Sequence, residues 1–190
     1  MKEFEQKILL SKSEYDCIMA HLGQRERTTR QVNYYFDTDD FSMNKHGVTC
    51  RIREKDGKLK ATYKDHRRAK CFCSEETDCT IRNGLEDNDF VDMGLTYQGC
   101  LDTCRTVIME KPFCTVTVDR NEYLGITDYE LEAEYLEGHE VLVMTHVKKM
   151  LGCLGVLKDS EKFNVLTIRT ANVKSKSERF FDRKELLRLS

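Results

Sequence analysis

No run of about eighteen apolar residues occurs in this chain, so nothing in it reads as a membrane-spanning helix. The opening Met1-Lys2-Glu3-Phe4-Glu5-Gln6 lacks the apolar stretch of a secretory signal, which points to the cytoplasm. Net charge is small: 31 Lys and Arg against 33 Asp and Glu leave −2, which excludes a polybasic nucleic-acid binder. No aromatics interleave with a basic patch, as single-stranded nucleic acid would require. Signatures of common catalytic sites are also missing. There is no G-x-x-x-x-G-K-[ST] phosphate loop, no G-x-S-x-G nucleophile elbow and no pair of C-x-x-C motifs for a zinc ribbon. The nine cysteines are odd in number and the chain is too long for a disulfide mini-domain, so they read as free thiols in a reducing compartment. The five histidines show no ligand spacing, and Pro112, the only proline, marks a turn.

Charged residues are abundant, at 34%, and they are sorted by sign along strand-like segments. Glu3, Glu5 and Lys7 alternate with Phe4 and Ile8, and Glu130, Glu132 and Glu134 alternate with Leu131 and Ala133. Residues two apart in a strand share a face, so each run sets its charges on one side. Arg51 and Arg53 form a basic row, and Lys60, Thr62 and Lys64 form another on the next strand. Lys55-Asp56-Gly57-Lys58 joins the two as a hairpin, so the rows lie side by side. A solvated sheet face explains any one of these strands. It explains the set poorly, because such a face mixes Ser, Thr, Gln and both signs. Pointed inward in a closed sheet, the pattern makes a charged channel, stable only if wet or internally paired. Aligned carboxylates repel unless a cation stands among them, and a divalent metal with a phosphate-bearing ligand meets that need.

The periodicities predict strands over 2–10, 31–38, 48–54, 58–64, 71–81, 104–111, 113–122 and 126–135. They predict helices from the capping box Ser11–Glu14 to Gly23, over 84–101, over 139–154 and over 177–189. Eight strands in mostly hairpin order, with helices inserted or appended, give an α+β fold: an antiparallel barrel covered by peripheral helices. No linker or repeat divides residues 1–190, which read as one domain.

In order along the chain, E-x-E-x-K at Glu3, Glu5 and Lys7, R-x-R at Arg51 and Arg53, Lys64, Arg105, Asp119-Arg120 and the Glu130/Glu132/Glu134 strand resemble the CYTH superfamily of triphosphate tunnel metalloenzymes. Lys176-Ser177-Glu178-Arg179-Phe180 resembles the family's C-terminal basic element; residues 69–82 fit it only loosely. The resemblance implies an eight-stranded antiparallel tunnel with a charged lumen that binds a triphosphate-containing small molecule with Mg²⁺ or Mn²⁺. On that basis Glu3, Glu5 and Lys7 are the expected catalytic residues. Arg51, Arg53, Lys64, Arg105, Arg120 and Lys176 are expected to hold phosphate. Glu3, Glu5, Glu130, Glu132 and Glu134 are expected to hold metal, with Glu76, Asp119 and Arg179 as supporting candidates. The expected reaction is hydrolysis of inorganic tripolyphosphate to pyrophosphate and phosphate. Thiamine triphosphatase, class IV adenylate cyclase (attack by the ribose 3′-hydroxyl) and a non-catalytic triphosphate binder are the alternatives. A homodimer is left open.

Overall fold

The computed structural model describes residues 3–22, 28–66, 73–155 and 173–190, with the side chains of residues 3 and 73–75 outside that description. The predicted helix stop at Gly23 and the predicted strand start at Cys71 fall outside it as well.

Among the described residues, ten strands and five helices follow in the order β1 (Glu3–Leu10), α1 (Lys12–Leu22), β2 (Thr28–Asp37), α2 (Ser42–Lys45), β3 (Val48–Lys55), β4 (Lys58–Asp65), β5 (Cys73–Cys79), β6 (Ile81–Asn83), β7 (Asp87–Asn88), α3 (Asp89–Asp92), β8 (Thr96–Lys111), β9 (Cys114–Tyr123), β10 (Ile126–Tyr135), α4 (Glu140–Cys153) and α5 (Lys176–Leu189). Eight strands form one antiparallel sheet in the order β1-β10-β9-β8-β2-β3-β4-β5. Two further residue pairs, Glu3 with Ser74 and Phe4 with Cys73, join β1 to β5 and close the ring. The tight turn Asp56-Gly57, both at positive φ, sets the β3–β4 register that places Arg51 across from Thr62 and Arg53 across from Lys60.

Hydrophobic burial lies outside the ring. Ile8, Leu10, Val116, Val118, Leu131 and Ala133 project from the outer face against Ile18 of α1 and Val143, Val147 and Leu151 of α4. A second outer cluster packs Cys50, Ile52 and Ala61 against Phe90 and Leu95. The interior takes the alternate residues, so buried positions there include Gln31, Asn33, Thr49, Thr62, Lys64, Thr103, Asp119, Asn121, Glu130 and Glu132. Polar groups so enclosed must satisfy one another or a ligand.

Local signals explain the helices. Ser11 caps α1 as predicted: Glu14 N–H donates to its Oγ, and its own N–H donates to the Glu14 carboxylate. Ser175 and Glu178 repeat the box at the start of α5. That helix seats Phe180 and Phe181 against Tyr35, Phe41, Leu101 and Tyr123, and its first residues close one end of the ring. Asp37, almost fully buried, accepts N–H bonds from Thr38, Met43 and Asn44 and so fixes α2 to the end of β2.

The helix predicted over 84–101 is corrected. That stretch is the turn and return strand β7 of a small hairpin begun by β6, the single turn α3 capped by Asn88, and the first third of β8. Gly94 at φ +75° ends α3, and from Thr96 onward β8 pairs with β2, a tertiary partner that outweighs the local acidic, helix-like composition. Gly99, at φ +129°, lies one residue past the register shift in that pairing. Among the described residues, no helix is long and apolar enough to cross a membrane.

Candidate functional site

A cavity of about 220 Å³ occupies the ring. Among the described residues, seven cations (Lys7, Arg51, Arg53, Lys55, Lys64, Arg105 and Lys176) and four carboxylates (Glu5, Glu76, Glu132 and Glu134) line it. The strand alternation that sorts charge in the sequence therefore points inward.

On the β1–β10 wall, Glu5 lies directly across from Glu134, and Lys7 across from Glu132. Lys7 Nζ stands 2.9 Å from Glu5 and 3.6 Å from Glu132. One carboxylate oxygen from each of Glu5, Glu132 and Glu134 falls within 4.8 Å of the others. Three hard oxygen donors converging at a half-exposed edge, where Glu134 keeps 42% of its side-chain exposure, suit a small divalent cation. Burial opposes ionisation of Glu132, yet Lys176, Lys7 and Arg105 hold its carboxyl well below the usual range.

A second trio, Asp119, Glu130 and Glu132, also converges. Here a cation of the protein already stands among the oxygens: Lys176 Nζ bonds Glu130 and lies 2.9 Å from Asp119 and 3.1 Å from Glu132. Burial alone would lower the Lys176 pKa, but these three carboxylates outweigh it and keep the ammonium charged. Arg179 of α5 bonds Asp128 and, at 2.6 Å, Glu130, which has no exposed surface. Glu130 pairs with both Lys176 and Arg179 of α5, and Lys176, which lines the cavity, gives its donors to carboxylates. Asp119 acts as an orienter, holding the Arg105 guanidinium through bonds of 2.9 and 2.7 Å.

The opposite sign gathers around β3 and β4. Arg51 donates to Thr62 and to Glu76, and Lys64 lies 3.3 Å from Glu76 and 4.0 Å from Glu5. Arg53 donates from Nε to Asn33 Oδ1 at 2.9 Å and has no carboxylate partner among the described residues. Burial, with Arg51 and Arg105 adding repulsion, pushes its pKa down to about 10. His66, also on the lining, is pushed down to about 4 by burial and by Lys64 and Lys7.

Glu5, Lys7, Arg51, Arg53, Lys64, Glu76, Arg105, Glu132, Glu134 and Lys176 thus meet in one cavity as their alternation predicts. The Glu3 side chain lies outside the described residues. Arg120 does not join them. It is one residue out of phase with inward-facing Asp119 and Asn121, stands exposed, and pairs with Glu122 on the outer surface. Sequence reasoning missed Gln31, Thr49, Lys55, His66, Ser175 and Ser177. Gln31 and Lys55 carried a usable signal, being cross-strand neighbours in phase with Asn33 and Arg53.

Comparison with known proteins agrees with this architecture. The model of the CYTH domain matches residues 1–160. A candidate triphosphatase of Bacillus subtilis (strain 168), YjbK, is 30% identical over 152 residues, covering 73% of this chain and 80% of its own. The crystal structure of a candidate adenylate cyclase from Bacillus halodurans superposes with a TM-score of 0.66 at 25% identity, covering 95% of this chain and 98% of that one. HpAC1 from Hippeastrum, a candidate adenylyl cyclase with a dominant triphosphatase activity, superposes with a TM-score of 0.67 at 19% identity and covers 96% of each chain. The chain belongs to the CYTH domain family.

Proposed function

We propose that the protein is a metal-dependent phosphohydrolase of triphosphate compounds, acting on inorganic tripolyphosphate to release pyrophosphate and phosphate. The observation that carries this reading is the division of the cavity: a trio of carboxylates, Glu5, Glu132 and Glu134, faces a cation-rich wall in which half-buried Arg53 has no acidic partner among the described residues. Partial desolvation of an arginine without a counter-ion is costly, and a polyanion removes that cost. Phosphoryl transfer asks the protein for positioning and charge neutralisation rather than covalent help. Arg51, Arg53, Lys64 and Arg105 supply both, Arg105 being held rigid by Asp119.

Glu5, Glu132 and Glu134 would hold Mg²⁺ or Mn²⁺, with Glu3 from the same strand face. The bound ion supplies neutralisation of phosphate charge and an acidified water. Water adds through oxygen to the terminal phosphorus, the anhydride bond to the neighbouring phosphoryl group breaks, and the water proton passes to solvent. Lys7, between Glu5 and Glu132, holds both carboxylates in place. The relatives described as a triphosphatase and as adenylate cyclases support triphosphate chemistry in general. We take residues 1–190 to act as one cytoplasmic domain.

Phosphate release from tripolyphosphate, ATP and thiamine triphosphate, each with Mg²⁺ and with Mn²⁺, tests the proposal. Turnover of tripolyphosphate that is lost in Glu5→Gln supports it. Cyclic AMP from ATP without phosphate release, or no turnover of any of the three, overturns it.

A further inference from the structure

Two buried carboxamides on β2, Gln31 on the cavity lining and Asn33 behind it against Arg53, carry donors that nothing among the described residues satisfies. Gln31 is 3% exposed, lines the cavity and leaves its Nε2 without a partner. Asn33 is fully buried; its Oδ1 accepts from Arg53, and its Nδ2 is left without an acceptor. Register sets Asn33 directly across from Arg53 and Gln31 across from Lys55. No lining carboxylate comes from β2 or β3, so the charges of this wall are all positive. In the ring order, β2 and β3 stand four places from β1 and β10, across the cavity from Glu5, Glu132 and Glu134.

A buried amide N–H₂ group without an acceptor costs on the order of 1–3 kcal/mol, and native proteins tolerate few. Water could satisfy the amides, but water does not neutralise an arginine. An anion with several oxygens does both. A terminal phosphoryl group offers three charged oxygens, whereas an esterified one gives up an oxygen to its substituent. Among the described lining residues, the one Phe, Tyr or Trp side chain, Tyr35, is 1% exposed and packed 4.8 Å from the Phe180 ring, so it offers no stacking face for a nucleobase.

We propose that Gln31 Nε2 and the Arg53 guanidinium, across the cavity from the carboxylate trio, form a subsite for the far phosphoryl group, the one not attacked, which is unsubstituted in tripolyphosphate and esterified in an organic triphosphate. Gln31 is then a specificity-determining residue that favours inorganic triphosphate over organic triphosphate esters. The inference rests on the triphosphate reading and deepens it. Gln31 is the better probe, because Asn33 also holds Arg53.

The test compares wild type with Gln31→Met, close in size but without donors, and Gln31→Glu, which sets a carboxylate on the same wall. KM and kcat are measured for tripolyphosphate and ATP, together with melting temperature with and without tripolyphosphate. Gln31→Met should raise the KM for tripolyphosphate about tenfold or more, with kcat within about threefold, as expected for one lost bond to a charged oxygen. Its kcat/KM preference for tripolyphosphate over ATP should fall, and Gln31→Glu should bind tripolyphosphate more weakly still. The ligand-free melting temperature of Gln31→Met should equal or exceed that of wild type, because an unpaired buried donor has been removed. Unchanged KM and preference, or a ligand-free melting temperature several degrees lower, overturns the subsite while wild-type turnover leaves the triphosphate reading standing. If wild type neither binds nor cleaves tripolyphosphate, the reading itself fails and the subsite with it.

Discussion

Glu130 and Glu134 sit four residues apart on one strand face and have opposite fates. Glu130 is sealed beneath α5 by Lys176 and Arg179, while Glu134 opens to the cavity mouth. Truncating Glu130 leaves two buried cations short of a counter-ion. Glu130→Ala should therefore lose about 3 kcal/mol in urea unfolding, the scale for breaking a buried ion pair. Glu134→Gln should unfold much like wild type yet weaken Mn²⁺ binding in the presence of tripolyphosphate; the reverse pattern would exchange their roles. His66 gives a pH prediction. Its folded pKa is about 4 and its unfolded value about 6.5, so between those values the unfolded state binds more protons. Stability is then lost as pH falls from about 6.5 towards 4, by up to about 3 kcal/mol, and His66→Gln should flatten that limb of a pH series of melts. Alternation in the sequence identified most inward charges. It failed at Arg120 because Asp119 and Arg120 were taken together, although strand neighbours face opposite ways. It passed over Gln31 and Asn33 because neutral amides on a strand look like a solvated face.

Among elements, α5 and β8 depend on one close approach. A Cβ built on Gly99 would stand 3.0 Å from Phe180 Cζ, and the residue holds φ +129°. Gly99→Ala should cost about 2–3 kcal/mol through strain and overpacking together, read as a lower melting temperature. Because Phe180 lies four residues beyond Lys176, a displaced α5 also loosens Lys176 from Asp119, Glu130 and Glu132, so the variant should expose α5 to protease earlier than wild type. Intact resistance in Gly99→Ala would show that Phe180 gives way without moving the helix. This contact was invisible in the sequence, where Gly94, Gly99 and the acidic run over 84–92 resembled an interrupted helix. Pairing of Thr96–Lys111 with β2 decided the matter at long range, as strand pairing commonly does. Strands whose hairpin partners are adjacent, β3 with β4 and β9 with β10, were legible because turn and alternation both lie within about twenty residues.

At the scale of the whole molecule, the hydrophobic core lies between ring and helices, and the ring's interior is left to charge. That interior is biased: seven cations to four carboxylates among the described lining residues, although the chain as a whole carries −2. Such a cavity should hold a divalent metal poorly by itself, because Lys7, Lys64 and Arg105 already neutralise Glu5, Glu132 and Glu134 and repel a second cation. Tripolyphosphate reverses the balance by drawing those cations to its own oxygens and adding donors for the metal. Binding of the two should therefore be strongly coupled, and by linkage each should tighten the other by the same factor. Calorimetric titration of Mn²⁺ should give affinity at least about tenfold weaker without tripolyphosphate than with it, after correction for the complex the two form in solution, a coupling of about 1.4 kcal/mol or more. Raising salt should weaken binding of metal-free tripolyphosphate, since screening acts on charges in a wet cavity. Tight Mn²⁺ binding to the ligand-free protein would mean that the carboxylate trio is preformed for metal and that the cationic lining plays no part in assembling the site.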